Sequence, residues 1–201
     1  MISIYLIGDG PRDQYSIPPL LETITGDSLQ VRFTTWKELR LQRGSGYFRK
    51  LMLALIQARD FGDDAVVAVI DQDMQPHSQG LRAMREARSK DRQSFAPLPT
   101  AVGEAIPHGE AWLLDDPHGV RLALRLASSE TIASLSQCEY PKTEIDRLID
   151  LSSFSDQDKL ENLARIAREI NPRRCQHPKV TGLHQFVEEV NEELKPFINR
   201  R

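Results

Sequence analysis

Asp71 and Asp73 stand one residue apart at the end of the most apolar run in the chain, Ala65-Val-Val-Ala-Val-Ile70. Six apolar, mostly β-branched residues in a row predict a strand buried on both faces, so the two aspartates fall at its carboxyl end. In an open α/β sheet that end is where ligands bind, because the loops leaving the strands diverge there and line a crevice. Two carboxylates at i and i+2 can converge on one hard divalent cation, typically magnesium, which takes oxygen ligands and keeps several waters. The competing reading is that they cap a helix after Pro76.

Two further acids fall at comparable places. Ile2 to Ile7 reads as a first strand running into Gly8-Asp9-Gly10-Pro11-Arg12-Asp13, where glycines on both sides of Asp9 allow a tight turn. Asp9 is thereby presented at the same edge as Asp71, while Asp13 is placed to cap the next helix. Thr100 to Ile106 reads as a fourth strand leaving through Pro107-His108-Gly109 into Glu110-Ala-Trp-Leu-Leu-Asp115. Glu110 is a candidate ligand or base, although an acid in a first helical turn is favoured by the macrodipole in any case. Asp116 before Pro117 reads as an N-cap, and Trp112 as core.

The elements that must hold these residues follow from periodicity. A helix is expected from about Gln14 to Thr25, with Pro18 and Pro19 forcing an irregular or restarted first turn and Gly26 stopping it. Leu29 to Thr35 alternates as a second strand, and Tyr47 to Phe61 carries apolar residues at helical spacing. Arg43, Arg49 and Lys50 cluster about the start of that helix, where Gly44-Ser45-Gly46 is a candidate phosphate cradle; a solvated basic face is the alternative. Ser78 to Arg92 is expected to be a helix with Leu81, Met84 and Ala87 inside and its arginines outside. From Pro117 onward only helical stripes appear. Residues 1–116 therefore read as an α/β domain and 117–201 as an α-helical extension packed on it. Between its last two helices Lys179 lies in a basic loop that could return to the acidic cleft. Cys175, His177 and His184 match no standard zinc spacing.

Composition narrows the class. The chain has 201 residues, 40% of them hydrophobic, and a formal charge of −3, which argues against a uniformly basic nucleic-acid coat but allows a local basic groove. No apolar run approaches the roughly 20 residues of a membrane span. The first residues run straight into a strand with no basic leader, so no signal peptide is expected, and the two cysteines suit a reducing cytoplasm.

The order strand, acid with glycine, helix, strand, helix, strand, Asp-x-Asp, helix, strand resembles the Toprim family. Ile-Pro-His-Gly-Glu110-Ala-Trp-Leu-Leu-Asp115 is similar to a stretch of small stand-alone bacterial Toprim-like proteins. The resemblance covers about residues 2–116. It implies a mostly parallel four-stranded Toprim/Rossmann-like sheet flanked by helices, and a Mg2+- or Mn2+-dependent nuclease. Asp9, Asp71, Asp73 and Glu110 take the metal-ligand and catalytic positions; many members carry glutamate where this chain has Asp9. Lys179 would offset transition-state charge, and Arg43, Arg49 and Lys50 would contact nucleic-acid phosphates. Some Toprim-like proteins lie beside ATPases in anti-phage or mobile-element loci, so a non-catalytic subunit partnering a separate ATPase is the alternative. A phosphohydrolase with Asp71 as nucleophile resembles the haloacid dehalogenases, but there the Asp-x-Asp follows the first core strand and precedes threonine or valine, whereas Met74 and Gln75 stand here.

Overall fold

A computed structural model of the chain describes residues 1–39, 46–72, 79–135 and 138–199. Four strands, β1 (Ile2–Gly8), β2 (Leu29–Thr35), β3 (Ala65–Asp71) and β4 (Thr100–Ala105), form one all-parallel sheet in the order β2-β1-β3-β4. Helix α1 (Pro11–Thr25) joins β1 to β2 across one face, while α2 (Tyr47–Phe61) and α3 (Gln79–Asp91) cover the other. The chain thus leaves β1 toward one edge and later builds β3 and β4 toward the opposite edge. That reversal opens a crevice between the carboxyl ends of β1 and β3, where α/β sheets bind ligands.

Alternation along the strands builds two cores. Ile4, Leu6, Val67, Val69 and Ala101 point toward α1 and the C-terminal helices; Tyr5, Ile7, Val66, Ala68 and Val102 point toward α2 and α3. The inner strands are apolar on both faces for this reason. Edge strand β2 alternates half-buried and exposed residues.

Helix α1 starts at Pro11 and continues to Thr25, so Pro18 and Pro19 lie inside it, not in a first turn beginning near Gln14 as the sequence suggested. The start is fixed by Asp13, whose carboxylate accepts from the Gly10 N–H at 3.3 Å, and by Pro11 in the first turn. Packing of Ile17, Leu20, Leu21 and Ile24 into the core offsets the helical bonds that the two prolines cannot make.

The remaining helices are α4 (Gly109–Leu114), α5 (Pro117–Leu124), α6 (Pro141–Asp150), α7 (Lys159–Glu169), α8 (Leu183–Glu193) and α9 (Lys195–Ile198). They share one continuous core with α1 and the sheet: Val120, Ile145, Leu148, Leu163 and Phe186 belong to the same cluster as Ile4 and Val67. Asp116 is fully buried and N-caps α5, accepting from Gly119 N–H at 3.0 Å; it also takes Asn171 N–H at 2.9 Å and the Arg174 guanidinium at 2.8 Å. Trp112 is buried and stacks on Phe186 with ring centres 4.8 Å apart.

Helix α8 covers β4, whose outer edge would otherwise offer unpaired backbone groups. Phe186 fills the space above Gly103, where a Cβ would come within 2.5 Å of its ring. From the opposite face, α3 reaches over the same edge: Arg85 and Arg88 both engage Glu189, and Arg92 engages Glu193. Three of the four arginines expected on the outside of this helix therefore clamp two layers together.

Candidate active site

Asp71 is the last residue of β3 and Asp9 the first after β1, so neighbouring parallel strands deliver them to the switch-point crevice. They are coupled through the backbone: Asp71 N–H donates to Asp9 Oδ2 at 2.8 Å. Asp71 Oδ1 accepts from Gly109 N–H at 3.0 Å, tying the exit of β4 to the same point, and Asp71 Oδ2 lies 3.5 Å from His108 Nδ1. Asp13 reaches back from α1 to accept from Asp9 N–H at 2.6 Å. Gly8 makes room for it, since a Cβ there would lie 2.7 Å from the Asp13 side chain.

Crowding of these acids sets the electrostatics. Burial, with the charges of Asp13, Asp9 and Glu110 adding to it, pushes the Asp71 carboxyl up to about 8 against the pull of the Gly109 N–H. Burial likewise raises Asp13 to about 6, opposed by the hydrogen bonds from Asp9 and Gly10 and reinforced by the Asp9 and Glu110 charges. Like charges in a poorly solvated crevice disfavour one another's ionisation.

Two cations stand at the wall. Arg12, beside Asp13 on α1, lays its Nε against Glu110 Oε1 of α4 and donates from both terminal nitrogens to Asp146 Oδ1 of α6, at 3.0 and 3.1 Å. Lys142, one turn before Asp146 on α6, lines the crevice together with Asp9, Arg12, Asp13, Asp71, His108 and Glu110. The space they enclose is about 410 Å³. It has room for a hydrated ion and a phosphate group.

The structure thus brings Asp9, Asp71 and Glu110 to one crevice. Asp73 and Arg43 lie outside the described residues, as do Gly44 and Ser45. Arg49 is exposed in the first turn of α2; Lys50 is half-buried and donates from Nζ to Trp36 O at 2.7 Å, a tie between α2 and the end of β2. Lys179 is exposed in the segment between α7 and α8 and is not among the residues lining the crevice; Lys142 is the lysine found there. The second acid four residues after Asp9 was a legible sign for Asp13, while nothing in the spacing pointed to Arg12, Lys142 or Asp146.

Among the described residues, no three side chains of His, Cys, Asp or Glu are gathered closely enough to hold a metal ion. Magnesium needs only one or two protein carboxylates beside its waters, and Asp9 and Asp71 are hard oxygen donors whose mutual repulsion a divalent ion would relieve. The donor set fits such an ion. Zinc does not suit the Cys175 region: burial, reinforced by Asp115 and Asp116, pushes the Cys175 thiol up to about 12, and His184 faces Glu188 at 3.3 Å. No protein-family model, curated protein or solved structure matches this chain.

Proposed function

We propose that this chain is a Mg2+- or Mn2+-dependent phosphodiesterase acting on nucleic acid, its site the acidic crevice between β1 and β3. The supporting observation is the arrival of Asp9, Asp71 and Glu110 from three different strand exits at one crevice, where burial, reinforced by the neighbouring acids, pushes the Asp71 carboxyl up to about 8. The resemblance of the Asp9, Asp-x-Asp and Glu-Ala-Trp-Leu-Leu-Asp segments to Toprim proteins supports the same reading.

Asp9 and Asp71 would hold the ion, with Asp73 beside them as the resemblance implies. Bound there, the ion supplies Lewis-acid polarisation of the phosphoryl oxygens. Lys142 and the Arg12 guanidinium neutralise the non-bridging oxygens of a phosphodiester that would otherwise be repelled by the carboxylates. His108, facing the crevice beside Asp71, is placed to give a proton to the departing oxygen. Glu110 orients Arg12 and reaches a second ion only when that arginine leaves it. In this reading Asp71→Asn abolishes Mn2+-dependent cleavage of labelled DNA and RNA with its circular dichroism unchanged. Undiminished cleavage by that variant sinks the assignment.

The Arg12–Glu110 contact favours one second reading, a Toprim-like non-catalytic subunit that partners a separate ATPase. There an internal cation does part of the charge balancing that a metal does in the enzyme. A folded protein that binds no Mn2+ by calorimetry and co-purifies with an ATPase decides for it.

A further inference from the structure

A second cleft lies at the other end of α1, about 20 Å from the acidic crevice by the rise of a 15-residue helix. It encloses about 610 Å³ between the C-terminal ends of α1 and α7 and the face of α8 and α9, and it is lined by Arg168, Arg173, Arg174 and Lys195. We infer that this cleft binds a phosphate-bearing small molecule of nucleotide size.

The cations divide into two that are built in and two that are available. Arg174 is held by the fully buried Asp116, at 3.0 Å from Nε and 2.8 Å from Nη2, and donates to Glu169 O at 2.6 Å. Lys195 Nζ donates to Ile24 O at 3.2 Å. These two sit on the terminal carbonyls of α7 and α1, whose dipoles would otherwise repel an anion. Arg168 and Arg173 are exposed, and their guanidinium groups have no side-chain partner among the described residues.

Charge counting supports an anionic occupant. Four cations stand against Asp116, Glu169 and about half a negative charge at each of the two helix ends, leaving the lining roughly one unit positive on a chain of net charge −3. Guanidinium groups match phosphate oxygens in paired hydrogen bonds, and two free ones on adjoining segments can share an oligophosphate. Val187, half-buried beside these cations, gives the cleft an apolar contact on α8. The volume falls within the usual range of small-molecule sites, roughly 300–1,000 Å³.

The test is calorimetric titration of ATP, pyrophosphate and a single-stranded oligonucleotide into the full chain in EDTA, so that the acidic crevice carries no divalent ion. ATP and pyrophosphate are expected to bind, with affinity falling about tenfold or more in Arg168→Glu, Arg173→Glu and by a smaller factor in the double lysine variant, which keeps the charge but loses the paired hydrogen bonds. Asp71→Asn is expected to leave this binding unchanged, so the result stands or falls apart from the phosphodiesterase reading. No heat with ATP at about 5 mM, or equal affinity in the double glutamate variant, overturns the assignment. So does an oligonucleotide that binds about tenfold tighter than ATP through the same two arginines, which would make the cleft part of a polymer track.

Discussion

Arg12 lies directly against Glu110, its Nε on the carboxylate while its two terminal nitrogens hold Asp146 on α6. One side chain from α1 thereby sits between the acid from the β4 exit and the helical part of the chain. Its positive charge opposes any cation entering beside Asp9 and Asp71. Arg12→Gln is expected to raise Mn2+ affinity at least about tenfold by calorimetry, since a unit charge about 4 Å away at an effective dielectric near 20 is worth about 4 kcal/mol before solvent and Asp146 screen it. Lower or unchanged affinity would mean that the ion binds beyond the reach of Arg12.

The raised acids make a stability prediction. Asp71 sits at about 8 and Asp13 at about 6 in the folded protein, both above the usual value of 3.8. The native state therefore keeps protons that the unfolded chain releases, so stability is full below about pH 4 and is lost as pH rises toward 8. Asp71→Asn removes the larger part of that loss. The variant is expected to melt roughly 5–10 °C above the wild type at pH 8, a difference of about 2–4 kcal/mol, and to match it near pH 4. Added Mn2+ should raise the wild-type melting temperature at pH 8 and leave the variant unmoved.

Much of this arrangement was legible because it is local. The unbroken apolar run before Asp71 reads as an inner strand, and a mostly parallel sheet followed from strands separated by helix-length segments; the structure makes it all-parallel. What stayed hidden depends on distant parts of the chain meeting. The α3 arginines read as a solvated face because their acidic partners Glu189 and Glu193 are about a hundred residues away. Lys142 enters the crevice only through the packing of α6, and no periodicity fixes that. The course of α1 through Pro18 and Pro19 is a case where burial of four apolar side chains outweighs local propensity.

The clamp across β4 is the next test. Glu189 is buried and accepts from both Arg85 and Arg88, so truncating it leaves the poorly solvated Arg88 with only Thr100 O at 3.2 Å and Glu193 Oε1 at 3.5 Å. Glu189→Ala is expected to cost about 2–4 kcal/mol in urea denaturation, well above the value of a surface ion pair. Hydrogen exchange should speed up at β4 and α8 before the inner strands. A loss below about 0.5 kcal/mol would make the network ornamental to stability.

Gly182 and Gly26 provide a paired experiment on what backbone conformation and close packing each contribute. Both adopt positive φ, 82° and 81°. A Cβ at Gly26 meets nothing within 4 Å, whereas one at Gly182 would lie 2.1 Å from the Glu104 carbonyl oxygen. Gly26→Ala should therefore cost only the left-handed conformation, about 1–2 kcal/mol. Gly182→Ala must in addition push the segment before α8 away from β4. The neighbouring Thr181 carbonyl accepts both Ile106 N–H at 3.0 Å and Trp112 Nε1–H at 2.6 Å, and these bonds would break with it. The expected loss is at least about 4 kcal/mol, with a shift in tryptophan emission as Trp112 loses its partner. Equal costs for the two variants would mean that α8 can slide on β4, and the edge of the sheet would then be held chiefly by the ion pairs from Arg85, Arg88 and Arg92 to Glu189 and Glu193.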